Sequence, residues 1–263
     1  VCPHCYQNGK ETEINTRSKR FGAVPVLTSY FCNGDCKPRR EQRSHNDSDP
    51  LKREYFQKWD LAKLRDIEGR QIPHWHPTVR MMHAPDDQQC WGVKWRAGTS
   101  NFRTVDELFT RRNLWALAAV REYSLLSRWS DTFIFCLTAI CLSMSKMYLW
   151  GPGDEHGIIK GTYYLPQLSR SQNIFEAFES KVSDIISAKK VINSILTPNL
   201  FISTQTATDV KQILSNTVDY IFTDPPYADK VQYGELNFVW EAWMNVDTSW
   251  QEEEIIVNEV RGK

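Results

Sequence analysis

Apolar positions along the chain recur at two different periods, and the change of period is the first guide to its elements. From Pro50 to Arg70, Tyr55, Phe56, Trp59, Leu61, Leu64 and Ile67 follow mixed three- and four-residue spacing, which predicts a helix. Thr104 to Tyr123 repeats that period through Leu114, Leu117, Ala118 and Arg121, with Thr110 placed as the cap. Asp131 to Trp150 is apolar on most sides, so a largely buried helix is expected, broken by Gly151-Pro-Gly153. Gly161 to Pro166 reads as an extended piece. Asn173 to Ile195 carries Ile174, Phe175, Phe178, Val182, Ile185 and Ile186 as the stripe of an amphipathic helix. The period then shortens. Leu200 to Asp209 and Val218 to Thr223 are rich in β-branched and aromatic residues and predict strands, with a short helix over Lys211 to Leu214 between them. A last helix is expected over Tyr233 to Trp243, where Phe238, Trp240 and Trp243 would pack the sheet and Glu235 and Asn237 would face a pocket. At the front, Val24, Val26, Leu27, Tyr30 and Phe31 suggest a ribbon hairpin within the stretch that begins at Glu13. Ser44 to Pro50 reads as a linker.

Strands alternating with helices in the second half point to an α/β chain. Three units are expected: a small module over 1–45, a linker and target-recognition region over 46–103, and the α/β part over 104–263. The hydrophobic fraction of 41% suffices for a core, and no run of 18 apolar residues predicts a membrane span. Net charge is zero but unevenly placed. Residues 1–80 hold 15 Lys and Arg against 10 Asp and Glu, whereas residues 201–263 hold 4 against 11. A basic front suits a partner bearing phosphate, and solvated surface charge explains it equally well. The N-terminus, Val1-Cys-Pro-His-Cys5, has neither an initiator Met nor a signal peptide.

Seven cysteines, including a Cys-x-x-Cys pair, point to metal or free thiols in a reducing, cytoplasmic setting. Cys2 and Cys5, then Cys32 and Cys36, form two knuckles that together supply the four soft ligands a tetrahedral Zn²⁺ takes. Such a closed shell leaves no open position, so this zinc would be structural. His4 is read as a bystander. Around these cysteines Arg17, Lys19, Arg20, Lys37, Arg39, Arg40 and Arg43 either contact a nucleic-acid backbone or keep the module soluble. His74, His76 and His83 lack an obvious third ligand and read as structural. Trp75, Trp91 and Trp95 could stack on bases, with core packing the plainer expectation. Cys136 and Cys141 are expected in the core.

The sharpest chemistry lies at Asp224-Pro225-Pro226-Tyr227, directly after the Val218–Thr223 run. Neither proline can continue a ladder, so a carboxylate, a stiff carbonyl-bearing turn and an aromatic ring come together where a strand would end. In open α/β sheets that edge binds ligands. Asp224 and the Pro225 carbonyl are acceptors that could grip both N–H bonds of an exocyclic base amine. Such a grip favours the tetrahedral nitrogen whose lone pair is free to attack, and Tyr227 offers a stacking face.

Asp-Pro-Pro-Tyr is the motif of S-adenosylmethionine-dependent DNA amino-methyltransferases. The string from Thr223 to Trp243 resembles the zinc-ribbon-containing branch of these adenine-specific methylases, as do Phe109-Thr-Arg-Arg-Asn-Leu114 and Ser145-Lys-Met147. The resemblance implies an α/β fold with a partial Rossmann-like class I methyltransferase core and an N-terminal zinc-ribbon-like insertion. It implies methylation of adenine N6 in DNA, with cytosine N4 open, on a base flipped out of the duplex. Asp224, Pro225, Pro226 and Tyr227 would be catalytic, Asp209 and Asp224 would hold S-adenosylmethionine, and Zn²⁺ would be structural. Asp209 reads equally as a helix cap. Arg112 and Asn113 would sit near a helix start, by default as a surface cap. DNA is the implied partner, with a restriction nuclease or another defence component beside it and no membrane. The family's cofactor loop, Asp/Asn-Pro-Phe-x-Gly-x-Gly, does not occur in these residues. The expectation is therefore a piece of a longer enzyme that binds S-adenosylmethionine poorly by itself, or a zinc-ribbon DNA-binding module with an inactive methylase remnant.

Overall fold

A computed structural model of the chain describes residues 24–31, 40–81, 102–151, 156–158, 163–166, 168–195, 201–202, 208–224, 233–248 and 253–257. At the front, strand β1 (Leu27–Phe31) pairs antiparallel with β2 (Arg40–Ser44), Phe31 opposite Arg40 and Leu27 opposite Ser44. Most of the hairpin expected from Glu13 to Tyr30 lies outside the described residues, and within them Leu27–Phe31 pairs with Arg40–Ser44. Asp49 then caps α1 (Pro50–Tyr55) by accepting from the Leu51 N–H at 2.9 Å, and Pro50 sits at the first helical position, where its missing N–H costs nothing. A π-turn (Phe56–Asp60) leads into α2 (Leu61–Gly69), so the predicted helix over 50–70 forms in nearly continuous pieces.

The strand before the presumed linker is tied to α1 and the π-turn. Arg43 donates to both carboxylate oxygens of Asp60, at 2.9 and 3.0 Å, and its guanidinium lies between the rings of Tyr30 and Tyr55, at 3.9 and 4.3 Å. Planar Arg suits that bidentate, stacked position. Arg43 is therefore engaged within the chain, not held out to phosphate as considered from the sequence.

The core is helical. α3 (Arg111–Leu125) starts where Thr110 Oγ1 accepts from the Asn113 N–H at 3.3 Å, as its sequence predicts. It turns through 126–129 into α4 (Ser130–Cys141), which packs on both α3 and α5 (Ile174–Ile195). Asn173 caps α5, its Oδ1 accepting from the Phe175 N–H at 3.1 Å. α6 (Tyr233–Met244) closes the cluster, burying Phe238, Val239, Ala242 and Trp243. Its end is a Schellman turn: the Asn245 N–H donates to Ala242 O and the Val246 N–H to Glu241 O, both at 3.1 Å, with Asn245 left-handed at φ 59°. These side chains meet Val105, Leu108, Leu117, Leu137 and Met144. Cys136 and Cys141 are free and buried there, as expected.

Several expectations change. The helix from Asp131 stops at Cys141 and passes through a 3₁₀ turn (Leu142–Met144). Leu149–Trp150, as β3, then pairs with β4 (His156–Gly157). Asn113 is buried and not a surface cap; its Nδ2 donates to Met144 O at 2.8 Å. Trp75 is exposed to 42% instead of core-packed, and the Arg121 guanidinium stacks over it at 4.0 Å. Trp243 packs among helices, not on a sheet. The two ladders, each of two strands, are antiparallel, and no parallel pairing occurs among the described residues. No helix among them is long and apolar enough to cross a membrane.

Burial drives two groups in this core towards their neutral forms. The Cys141 thiol lies well above its ordinary 9.0, and the Tyr163 phenol is raised from 10.0. A raised folded-state value means stability that is complete below the unfolded value and is lost as pH climbs towards the folded one. Thermal melts should stay level up to about pH 9 and fall above it, with Tyr163→Phe removing part of the fall. A melting temperature unchanged up to about pH 11 would contradict this.

Candidate functional site

Asp224 ends the described segment 208–224, and every residue of that segment is exposed. Tyr220 and Phe222 are 80% and 82% exposed, and the predicted strand over Val218–Thr223 has no ladder partner among the described residues. The physical reason is that β-type side chains take up strand geometry only when a neighbouring strand accepts their backbone groups, and no such neighbour lies beside them among those residues. The same holds for Phe201 and Ile202, the described part of the strand expected over 200–209. The short helix expected at Lys211–Leu214 is instead a series of turns: the Ile213 N–H donates to Val210 O at 3.0 Å, Thr217 Oγ1 donates to Leu214 O at 2.7 Å, and Asn216 is left-handed at φ 62°. Asp209 caps no helix; its carboxylate pairs with Lys211 Nζ at 2.6 Å. Asp224 has no hydrogen-bond or ion-pair partner among the described residues. Pro225, Pro226 and Tyr227 lie outside them.

The helix on the far side of the Asp-Pro-Pro-Tyr stretch is firmly anchored. The Gly234 N–H, in the first turn of α6, donates to Glu254 Oε1 at 3.1 Å, a carboxylate where the positive end of a helix favours one. Tyr163 is buried, and its hydroxyl donates to the carbonyls of Glu235 and Leu236, at 3.0 and 2.9 Å. The phenol is thus held on two carbonyls in the first turn of the helix, just after the candidate loop. Further along, Trp240 Nε1 donates to Thr138 O at 2.9 Å. At the other end Arg121 Nε donates to Trp243 O at 2.8 Å, a cation on the carbonyl end of the helix. The helix is thus a rigid platform for whatever precedes it. Asn237 is exposed on it and Glu235 is buried, and neither lines a pocket among the described residues. Neither Tyr163 nor Glu254 carries a sequence signal that would have assigned it to this platform.

The expected zinc ligands Cys2, Cys5, Cys32 and Cys36 lie outside the described residues, as do Arg17, Lys19, Arg20, Lys37, Arg39, His83, Trp91 and Trp95. What the fold contributes is topology. β1 leads into residues 32–39 and β2 leads out, so Cys32 and Cys36 fall in a hairpin connection. His74 and His76 are used locally. His74 Nδ1 meets Glu122 Oε2 at 3.0 Å and His76 Nδ1 meets His74 O at 3.1 Å. No group of His, Cys, Asp and Glu that could hold a metal ion occurs among the described residues. Arg112 donates to Ser171 Oγ at 2.6 Å and to Asn113 Oδ1 at 3.3 Å, bracing the start of α3.

No family model, curated protein or solved structure matches the chain.

Proposed function

We propose that the chain carries the amine-gripping part of an S-adenosylmethionine-dependent DNA methyltransferase acting on adenine N6. The observation that carries this reading is the Asp224-Pro-Pro-Tyr227 string, set between a β-type run and a helix locked into the core. Asp224 and the Pro225 carbonyl would accept from the two N–H bonds of a flipped-out base, and Tyr227 would stack on its ring. The anchored platform at α6 supports the reading because it holds the far end of the loop, and a positioning loop needs a rigid support. S-adenosylmethionine would supply a methyl group on an electron-poor sulfur. An exposed acceptor such as Asp209 suits the adenosine's hydroxyls once it exchanges Lys211. The family's Asp/Asn-Pro-Phe-x-Gly-x-Gly loop is absent from these residues, so turnover belongs to the full-length protein containing them. The doubly wound core, in which 218–223 would be an inner strand, is part of the same proposal.

The test is direct. DNA from cells expressing the full-length protein, read by long-read sequencing, should carry N6-methyladenine at one sequence context. Methylation confined to cytosine N4 would move the reaction to the other amino base. No modified base at all would favour the second reading, a zinc-ribbon DNA-binding module with an inactive remnant. The missing glycine loop is the observation on the side of that reading.

For the N-terminal module we propose one structural Zn²⁺ on Cys2, Cys5, Cys32 and Cys36. Purified protein should contain about one equivalent of zinc, and Cys32→Ser should lower it to well under half. Full zinc content in that variant would remove Cys32 from the ligand set.

A further inference from the structure

An open groove between α2 and α3 has a pattern of charges and rings that the loop chemistry leaves unused. Lys63 and Asp66 on α2, and Arg70 just past its end, stand along one wall, with Arg112 and Trp115 on the other and Phe175 of α5 at the margin. Lys63 and Arg70 are seven residues apart, so two helical turns bring them to the same side, about 10 Å apart along the axis. Three cations line the groove against one carboxylate, and Arg112 is held by Ser171 and Asn113. Asp66 is already bound by Arg70 at 2.8 Å and lies 3.9 Å from Lys63, whose side chain is 70% exposed. Phe175 is 61% exposed, although Ile174 beside it is buried in the core.

We propose that this groove seats a single nucleic-acid strand, its phosphates against Lys63, Arg70 and Arg112 and one base against the exposed ring of Phe175. Excess positive charge beside an uncovered aromatic face is the combination that binds single strands without reading sequence. The groove holds about 300 Å³, the small end of ligand clefts, which fits one nucleotide and not the width of a duplex. An acidic helical peptide would need a longer row of apolar anchors than one exposed ring provides. The inference stands on the groove alone and does not require methyl transfer.

The test is fluorescence anisotropy of a labelled oligothymidylate of about 20 nucleotides with the 263-residue chain. Binding should weaken with salt, and Lys63→Glu and Phe175→Ala should each lower affinity by about tenfold. Arg53→Glu, the same charge change away from the groove, should stay within about twofold. Both groove side chains are exposed, so the melts should match. Should Phe175→Ala melt early, the Lys63→Glu arm decides alone. Absence of strand binding, or groove variants that bind the strand like the parent, would each overturn the proposal, as would an equal loss of duplex binding in Lys63→Glu. Displacement of the strand by polyglutamate at equal charge would overturn it in favour of an acidic protein partner.

Discussion

Replacing Asp224 by alanine is expected to stop methyl transfer by the full-length protein while leaving its melting temperature unchanged. Asp224 is exposed and without a partner among the described residues, so its removal takes away no packing and leaves no buried group stranded. Surface changes of that kind stay within about 0.5 kcal/mol. The chemical effect should be far larger. A base amine has its lone pair spread into the ring, and an acceptor that holds its N–H bonds acts mainly as the nitrogen becomes tetrahedral. Losing a group used chiefly in the transition state lowers the rate by about 10²–10⁴-fold. Asp224→Asn keeps the shape and one acceptor oxygen, Oδ1, but loses the negative charge, so its loss of activity should be smaller than that of the alanine variant. The measurement is transfer of tritiated methyl groups to DNA under single-turnover conditions, with thermal melts alongside. Activity within roughly tenfold of the parent would reduce the Asp-Pro-Pro-Tyr stretch to an ordinary loop.

Trp243→Ala should be the most damaging single change to the fold. The side chain is fully buried and meets Phe109 edge-on, at 5.6 Å between ring centres and 85° between planes. Emptying a site of that size costs about 3–5 kcal/mol, or roughly 6–20 °C in melting temperature for a chain of this length. Trp243→Phe should cost much less, for a specific reason. The indole Nε1 is buried without a hydrogen-bond partner, so phenylalanine sheds an unsatisfied donor while keeping most of the ring volume. Circular dichroism melts of the two variants separate the contributions. Equal losses would mean that the indole itself, and not the buried volume, sets the cost.

The helices are legible in the sequence because each states its limits locally. Thr110 caps α3 at the position its side chain suggests, Asp49 and Asn173 cap α1 and α5 within a residue of their expected starts, and the apolar period of 111–125 is the period of its buried face. Asn113 reads wrongly as a surface cap because the carbonyl it serves, on Met144, is 31 residues away. Trp75 reads wrongly as core because its stacking partner, Arg121, meets it outside the core. Tyr163 gives no local sign of its role, which is a hydrogen bond to a helix more than 70 residues distant. The same limit applies at the site. The composition of Val218–Thr223 states what the segment could pair as, and says nothing of what stands beside it.

By itself the sequence determined the helices over 50–70, 111–125, 174–195 and 233–244, the cap at Thr110, and which residue types stand at 224–227, because these depend on residues within a turn or two of one another. Only the tertiary structure decided that α6 is gripped by Tyr163, Arg121 and Glu254, that Arg43 is occupied by Asp60, and that the β-type run before Asp224 lies exposed. Those outcomes hinge on contacts between distant parts of the chain, and local composition carries no record of which distant group will arrive.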